Sequence, residues 1–104
     1  MREEAGGYVY ILANKAYGPL YTGSARDLVA RIYQHKEGVL PGFTRKYGVA
    51  MLVWYEAHES VSLAYSREQK IKKWRRAWKI ALIEGMNPRW NDLYPALIQF
   101  GAPL

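Results

Sequence analysis

The first third of the chain alternates short apolar runs with turn residues, a pattern typical of a β-hairpin. Residues 8–13 are rich in strand formers, and residues 20–23 form a second, shorter run. Between them, residues 14–19 contain Asn, Gly and Pro, which turns prefer. We therefore expect two antiparallel strands that are joined by a short loop.

A helix and a third strand are predicted to follow the hairpin. Ser24 and Asp27 have the spacing of a capping box, with Ser24 as the N-cap and Asp27 at the third helical position. Gly38 suits the C-terminal cap. Residues 38–48 contain a Pro-Gly pair and several basic residues, which favours a loop. The apolar run 49–55 has the length of a central strand.

Helical periodicity dominates the rest of the chain. Ser60 is a suitable N-cap, and apolar residues then recur mostly at steps of three and four, at Val61, Ala64, Tyr65, Ile71, Trp74, Trp78 and Leu82. The segment is long enough to break near residues 73–76, and residues 93–100 predict a last short helix. The order strand-strand-helix-strand-helix-helix predicts an α+β fold with a three-stranded, largely antiparallel sheet that is flanked by helices.

Length and composition indicate one globular domain that spans residues 1–104. Half of the residues are hydrophobic and 23% are charged. The chain has no cysteine, which excludes disulfides, cysteine-ligated metals and a cysteine nucleophile. Residues 1–4 do not lead into a signal sequence, and no apolar run approaches the roughly 20 residues of a membrane helix. We therefore expect a soluble, cytoplasmic protein.

The basic charge of the chain is concentrated late in the sequence. The formal net charge is +6, and residues 67–89 hold eight Lys and Arg against only Glu68 and Glu84. Three tryptophans are interleaved with these cations. A basic domain of this size favours an anionic partner, with nucleic acid as the first choice. The segment is either a solvated helix face with tryptophans packed inward or a surface that follows a phosphate backbone.

Two groups of polar residues are candidates for chemistry. Arg31 and His35 lie one turn apart at the margin of an apolar helix face, where a guanidinium beside an imidazole can bind phosphate. Alternatively, Arg31 pairs with Asp27, and His35 is a partly buried polar residue. Glu68 lies within the apolar stripe of Ala64, Ile71 and Trp78. A carboxylate there requires either a basic partner or a hard metal ion, and the third alternative is that the core-facing stripe is misplaced.

Taken together, these segments resemble the GIY-YIG nuclease superfamily. The residues that carry the resemblance are Tyr8-Val9-Tyr10, Tyr21-Thr22-Gly23, Arg31, His35 and Glu68. Tyr8 and Val9 replace the Gly and Ile of the first signature, and Thr22 replaces the middle Ile of the second. The resemblance covers about residues 8–93. It is greatest to small stand-alone bacterial members, whose late patterns are similar to residues 67–74 and 87–93.

The resemblance implies a metal-dependent endonuclease that hydrolyses phosphodiester bonds in DNA, with structure-directed or weakly specific cleavage and a role in DNA repair or recombination. Arg31 would stabilise charge on the phosphate, and Glu68 would hold Mg²⁺ or Mn²⁺. A signature tyrosine would take the proton of the attacking water. Tyr10 is the preferred base with Tyr21 orienting groups, but the reverse is open. His35 would be a relay or a phosphate contact.

The remaining expectations concern binding. We expect nucleic-acid contacts from Gly23, Arg26, Lys70, Lys72, Lys73, Arg75 and Arg76, and support of the site from Asn87 or Asn91. RNA stays open as a further substrate, and the sequence leaves the oligomeric state open. Two alternative functions remain. One is a catalytically weak or inactive nucleic-acid-binding module of the same fold, and the other is an interaction domain whose basic face binds an acidic protein.

Overall fold

One antiparallel sheet organises the protein, and helices cover both of its faces. The computed structural model describes residues 5–101. Its elements in chain order are β1 (Gly7–Ala13), β2 (Leu20–Ala25), α1 (Leu28–Lys36), α2 (Phe43–Tyr47), β3 (Met51–His58), α3 (Val61–Lys72), α4 (Arg76–Met86) and α5 (Tyr94–Phe100). The α+β class and the order of the predicted elements are confirmed, with α2 as an additional helix.

The strands lie in the order β2-β1-β3, so β1 is the central strand. Tyr10 pairs with Gly23 on one side and with Tyr55 on the other. The prediction that the third strand is central is wrong, because β3 lies at an edge. An apolar run shows that a strand is buried on its faces, but it does not show whether both edges of that strand are hydrogen-bonded.

The side chains of β1 alternate between two apolar clusters. Val9, Ile11 and Ala13 pack with residues of α3 and α4, whereas Tyr10 and Leu12 pack with residues of α1 and α5. These five residues are completely buried. The apolar run of the first strand therefore reflects a strand that is covered on both faces.

The predicted capping box at Ser24 is wrong. Ser24 pairs with Val9 inside β2, and the N-cap of α1 is Asp27, whose carboxylate accepts a hydrogen bond of 3.1 Å from the Ala30 amide. Ser and Asp both favour the N-cap position, so the residue types do not distinguish the two starts. The pairing of β2 with β1 decides between them.

The predicted loop at residues 38–48 contains a short helix. Gly42 and Gly48 lie on either side of α2, and both have positive φ angles, of 102° and 63°. Glycine adopts such angles without steric cost, so the helix can begin and end abruptly. The helix places the buried Thr44 against α1.

The break that was predicted near residues 73–76 is confirmed, because α3 ends at Lys72 and α4 begins at Arg76. Ser60 caps α3 as expected, with a hydrogen bond of 3.1 Å from the Leu63 amide. The break changes the helical phase, so Trp78 is 49% exposed and does not continue the apolar stripe of Ala64 and Ile71. Among residues 5–101, no helix has the length and apolar character that crossing a bilayer requires.

Asn87 connects the end of α4 to β3. Its side chain is buried and donates hydrogen bonds to the carbonyl oxygens of Val53, at 3.1 Å, and Asn91, at 2.8 Å. Its Oδ1 accepts a hydrogen bond from the Asn91 amide. Because β3 and β2 are opposite edges of the sheet, Asn87 supports the edge that lies away from β2.

We expect the substitution Asn87→Ala to lower the free energy of unfolding by about 1–3 kcal/mol, since it leaves buried polar groups without partners. Asn91→Ala is the matched control. Asn91 makes these hydrogen bonds with its backbone, so loss of its side chain should lower the free energy of unfolding by less than about 0.5 kcal/mol. Urea unfolding of both variants measures the difference. Equal effects would contradict a structural role for the Asn87 side chain.

Candidate active site

The sequence-predicted catalytic residues meet around the edge strand β2. Tyr21 and Tyr10 share the face of the sheet that α1 covers, because Tyr10 pairs with Gly23 and Tyr21 lies two residues before Gly23. Ser24 points to the opposite face, which α3 covers. The outer edge of β2 is not paired with another strand, so side chains from both faces of the sheet can meet there. Residues of β1, β2, α1 and α3 therefore contribute to one site.

Tyr10 is completely buried, and its hydroxyl oxygen lies 2.9 Å from Nε2 of His35. The other ring nitrogen of His35, Nδ1, lies 3.1 Å from the hydroxyl of Thr44. Gly23 makes this arrangement possible, because a Cβ at that position would lie 2.6 Å from the phenol oxygen of Tyr10. Tyr10, His35 and Thr44 therefore form a buried hydrogen-bonded chain beneath β2.

Burial keeps Tyr10 and His35 in this chain uncharged. It raises the pKa of Tyr10, and the neighbouring Tyr21 and Glu68 raise it further, whereas the guanidinium of Arg31 opposes this increase. Burial also lowers the pKa of His35 to about 4, and the positive charge of Arg31 contributes. Both side chains are therefore neutral at pH 7.

Arg31 is half-buried on α1, beside the hydroxyl of Tyr10. The alternative that Arg31 pairs with Asp27 is wrong, because no ion pair joins them in the part of the chain that the structure describes. Asp27 instead caps the helix with its carboxylate. The guanidinium of Arg31 thus faces the site without a carboxylate of its own helix.

Glu68 is 6% exposed, and both of its oxygens have partners. Ser24 donates a hydrogen bond of 2.5 Å to Oε1, and the ammonium of Lys72 lies 2.5 Å from Oε2. Gln69 makes a longer contact with Oε2, at 3.4 Å. The hydrogen bond to Glu68 raises the pKa of Lys72. The expected pairing of Glu68 with a basic residue is therefore observed.

An open groove of about 210 Å³ lies beside this pair. Its lining residues are Leu20, Tyr21, Thr22, Phe43, Lys72 and Lys79. Burial lowers the pKa of Lys79, and the nearby positive charges of Arg76 and Lys72 lower it further. The groove thus combines a phenol with two ammonium groups. Phe43 and Lys79 are absent from the sequence prediction, although an aromatic residue in a basic loop was a signal for Phe43.

The predicted nucleic-acid contacts divide into two groups. Six of them are exposed and one, Gly23, is buried; the exposed residues are Arg26, Lys70, Lys72, Lys73, Arg75 and Arg76. The guanidinium of Arg75 lies over the exposed ring of Trp78, 4.7 Å from its centroid. Lys70 lies on α3, Lys73 and Arg75 lie at the junction of α3 and α4, and Arg26 lies between β2 and α1.

Four of the predicted residues have structural contacts of their own. Nη2 of the exposed Arg76 donates hydrogen bonds to the carbonyl oxygens of Tyr17 and Gly18, so Arg76 holds the hairpin turn. Gly23 is buried against Tyr10. Asn87 and Asn91 lie at the β3 edge, away from the site.

Comparison with known proteins identifies relatives of the chain. Residues 6–81 match the family described as the GIY-YIG catalytic domain. UPF0213 proteins of Staphylococcus aureus strains Mu3 and N315 are 38% identical over 77 residues, which cover 74% of this chain and 93% of theirs. The solution NMR structure of the UPF0213 protein BH0048 from Bacillus halodurans is 31% identical, with a TM-score of 0.51 over 83% of this chain and 90% of that one.

We expect Gly23→Ala to lower the free energy of unfolding by about 1–3 kcal/mol, because its methyl group would overlap the Tyr10 phenol. Gly85→Ala is the matched control. No atom lies within 4 Å of a Cβ at this helical position, so the change should stabilise the protein by up to about 1 kcal/mol. Urea unfolding compares the two. A neutral Gly23→Ala would show that the Tyr10 ring moves freely.

We expect the wild-type protein to lose stability as the pH falls from about 6.5 to about 4. The pKa of an unperturbed histidine is 6.5, whereas the pKa of His35 in the folded protein is about 4. Between these pH values the unfolded chain binds a proton at His35 that the folded protein does not bind, so lowering the pH favours unfolding. His35→Gln should reduce this loss, and His58→Gln, which removes the other histidine, should retain it. Thermal unfolding across this pH range provides the measurement. Equal pH dependence of wild type and His35→Gln would contradict it.

Proposed function

Because the chain belongs to the GIY-YIG catalytic domain family, we propose that it is a metal-dependent endonuclease that hydrolyses phosphodiester bonds in DNA. The convergence of Tyr21, Arg31 and Glu68 at one sheet edge is the observation that carries the proposal. The three residues come from β2, α1 and α3. We expect structure-directed or weakly specific cleavage and a role in DNA repair or recombination in the cytoplasm.

Arg31 is suited to stabilise the transition state of hydrolysis. Attack of water on a phosphodiester adds negative charge to the phosphoryl oxygens. A fixed guanidinium that binds these oxygens interacts more strongly with the transition state than with the ground state, which accelerates the reaction. Arg31 has no ion pair among the described residues, so its charge is available for the phosphate.

Glu68 fits a divalent cation as a single protein ligand. The ammonium of Lys72 at Oε2 marks a position where a cation is stable. No group of three His, Asp or Glu within residues 5–101 offers a fuller set of ligands. Mg²⁺ commonly takes one or two carboxylates and completes its shell with water and substrate phosphate. Once bound, Mg²⁺ or Mn²⁺ would supply Lewis-acid stabilisation of the phosphoryl and leaving oxygens.

Burial favours Tyr21 over Tyr10 as the general base. Tyr10 is completely buried, its pKa is raised, and its hydroxyl is engaged with His35. Tyr21 lines the open groove, where an attacking water can reach its hydroxyl. We therefore propose that Tyr21 accepts the proton of the water. The buried Tyr10–His35 pair then orients Tyr21 and Arg31 from the interior of the protein.

Basic residues in the groove and on the α3–α4 segment are suited to bind the rest of the nucleic acid. Lys72 and Lys79 line the groove, and Lys70, Lys73 and Arg75 are further exposed cations of the α3–α4 segment. Cations that bind phosphates give a salt-dependent affinity. One observation favours the second candidate, a catalytically weak nucleic-acid-binding module. The carboxylate of Glu68 is already paired with Lys72.

We expect the purified protein to cut at least one of branched, nicked, single-stranded and duplex DNA with Mg²⁺ or Mn²⁺, and none with EDTA. Arg31→Ala and Glu68→Gln should each lower the rate by about 100-fold or more, because each removes stabilisation of the developing charge. Tyr21→Phe should lower the rate more than Tyr10→Phe. Tyr33→Phe, which changes an exposed tyrosine of α1, is the control for loss of a hydroxyl.

Gel analysis of labelled substrates, with an RNA strand included, measures these rates. Binding of DNA without cleavage of any substrate would favour the second candidate. A larger loss of rate in Tyr10→Phe than in Tyr21→Phe, with both variants folded, would assign the base to Tyr10.

A further inference from the structure

The two oxygens of Glu68 have partners of different kinds. Oε1 accepts a hydrogen bond from Ser24, a strand residue that is held by the pairing of β2 with β1. Oε2 contacts Lys72, whose side chain is long, flexible and 44% exposed. One oxygen therefore has a fixed partner and the other has a partner that can leave.

We propose that Lys72 is an internal cation that competes with the divalent metal for Oε2 of Glu68 and that it moves to the substrate phosphate when nucleic acid enters the groove. The inference rests on the proposed function, because it requires that Glu68 is the metal ligand. Pairing and metal binding of Glu68 are then two alternating states of one carboxylate.

The position of Lys72 allows this exchange. Its side chain lines the groove together with Tyr21 and Lys79, so a phosphate there lies within reach of its ammonium. A phosphate and a carboxylate are alternative anionic partners for one ammonium. Lys79 adds a second positive charge to the same groove, which increases the attraction for a phosphate. Lys72 therefore leaves Glu68 more readily when a phosphate in the groove replaces the carboxylate as its partner.

Ser24 keeps the carboxylate in place during the exchange. Its hydroxyl donates a hydrogen bond to Oε1, the oxygen that Lys72 does not contact. Departure of Lys72 therefore leaves Glu68 oriented, and Oε2, which keeps only its longer contact with Gln69, can accept a cation. Binding of metal and binding of phosphate should each strengthen the other, since coupling between two binding sites is reciprocal.

The test is titration of Mn²⁺ in the absence of nucleic acid, with the electron paramagnetic resonance signal of free Mn²⁺ as the readout. We expect Lys72→Met to bind Mn²⁺ about fivefold more tightly than wild type, which is the effect of one removed ion pair near the surface. Lys72→Arg keeps the charge and should not bind more tightly. Lys15→Met, which loses the same charge on the exposed hairpin loop, should match the wild type.

Two further measurements identify the residue that binds Mn²⁺ and test whether phosphate binding strengthens Mn²⁺ binding. Adding Glu68→Gln to Lys72→Met should abolish the gain, which assigns the binding to Glu68. Dimethyl phosphate, a phosphodiester monoanion, should strengthen Mn²⁺ binding by the wild type and leave Lys72→Met unchanged. Thermal unfolding checks that each variant is folded, and Lys72→Gln, which retains a donor for Glu68, replaces Lys72→Met if that variant unfolds.

Equal Mn²⁺ affinity of wild type and Lys72→Met would overturn the competition, even if the wild type cleaves DNA with Mn²⁺. A gain in Lys15→Met as large as that in Lys72→Met would also overturn it, because the effect would then be one of net charge. Failure of the proposed function has a different signature. In that case neither wild type nor Lys72→Met binds Mn²⁺, and no DNA is cut with any metal.

Discussion

The central strand β1 must be covered on both faces, and this requirement organises the rest of the protein. Residues 9–13 have no exposed surface, because one set of alternate side chains packs with α3 and α4 and the other with α1 and α5. Burial of apolar side chains in both layers supplies the main stabilising free energy. It also requires that the chain cross from one face of the sheet to the other several times.

The candidate site is a consequence of these crossings. Beside the doubly covered β1 lies the edge strand β2, whose two faces carry Tyr21 and Ser24. The helix on one side contributes Arg31, and the helix on the other contributes Glu68. Neither layer alone holds the full set of groups, so the fold and the site depend on the same packing.

Electrostatics divide the site into two parts. Beneath β2, burial keeps Tyr10 and His35 neutral, which suits side chains that orient others. The groove instead carries two lysines, Lys72, which is paired with Glu68, and Lys79, and both can attract an anion. A charged group next to bulk water keeps its hydration, whereas the same charge beneath the sheet would lose its hydration at a large cost in free energy. The chemistry we propose therefore takes place at the groove and is supported from the interior.

The sequence by itself determined the period of each main element and the break before α4, because local spacing and residue type carry this information. It supplied Tyr21, Arg31 and Glu68 as candidate residues through its resemblance to a known family. Tertiary structure decided the rest. It placed Ser24 in a strand rather than at a helix cap, buried Tyr10 and Gly23, engaged Arg76 with the hairpin turn and set Lys72 against Glu68. These outcomes depend on contacts between residues far apart in the chain, and local spacing contains no record of them.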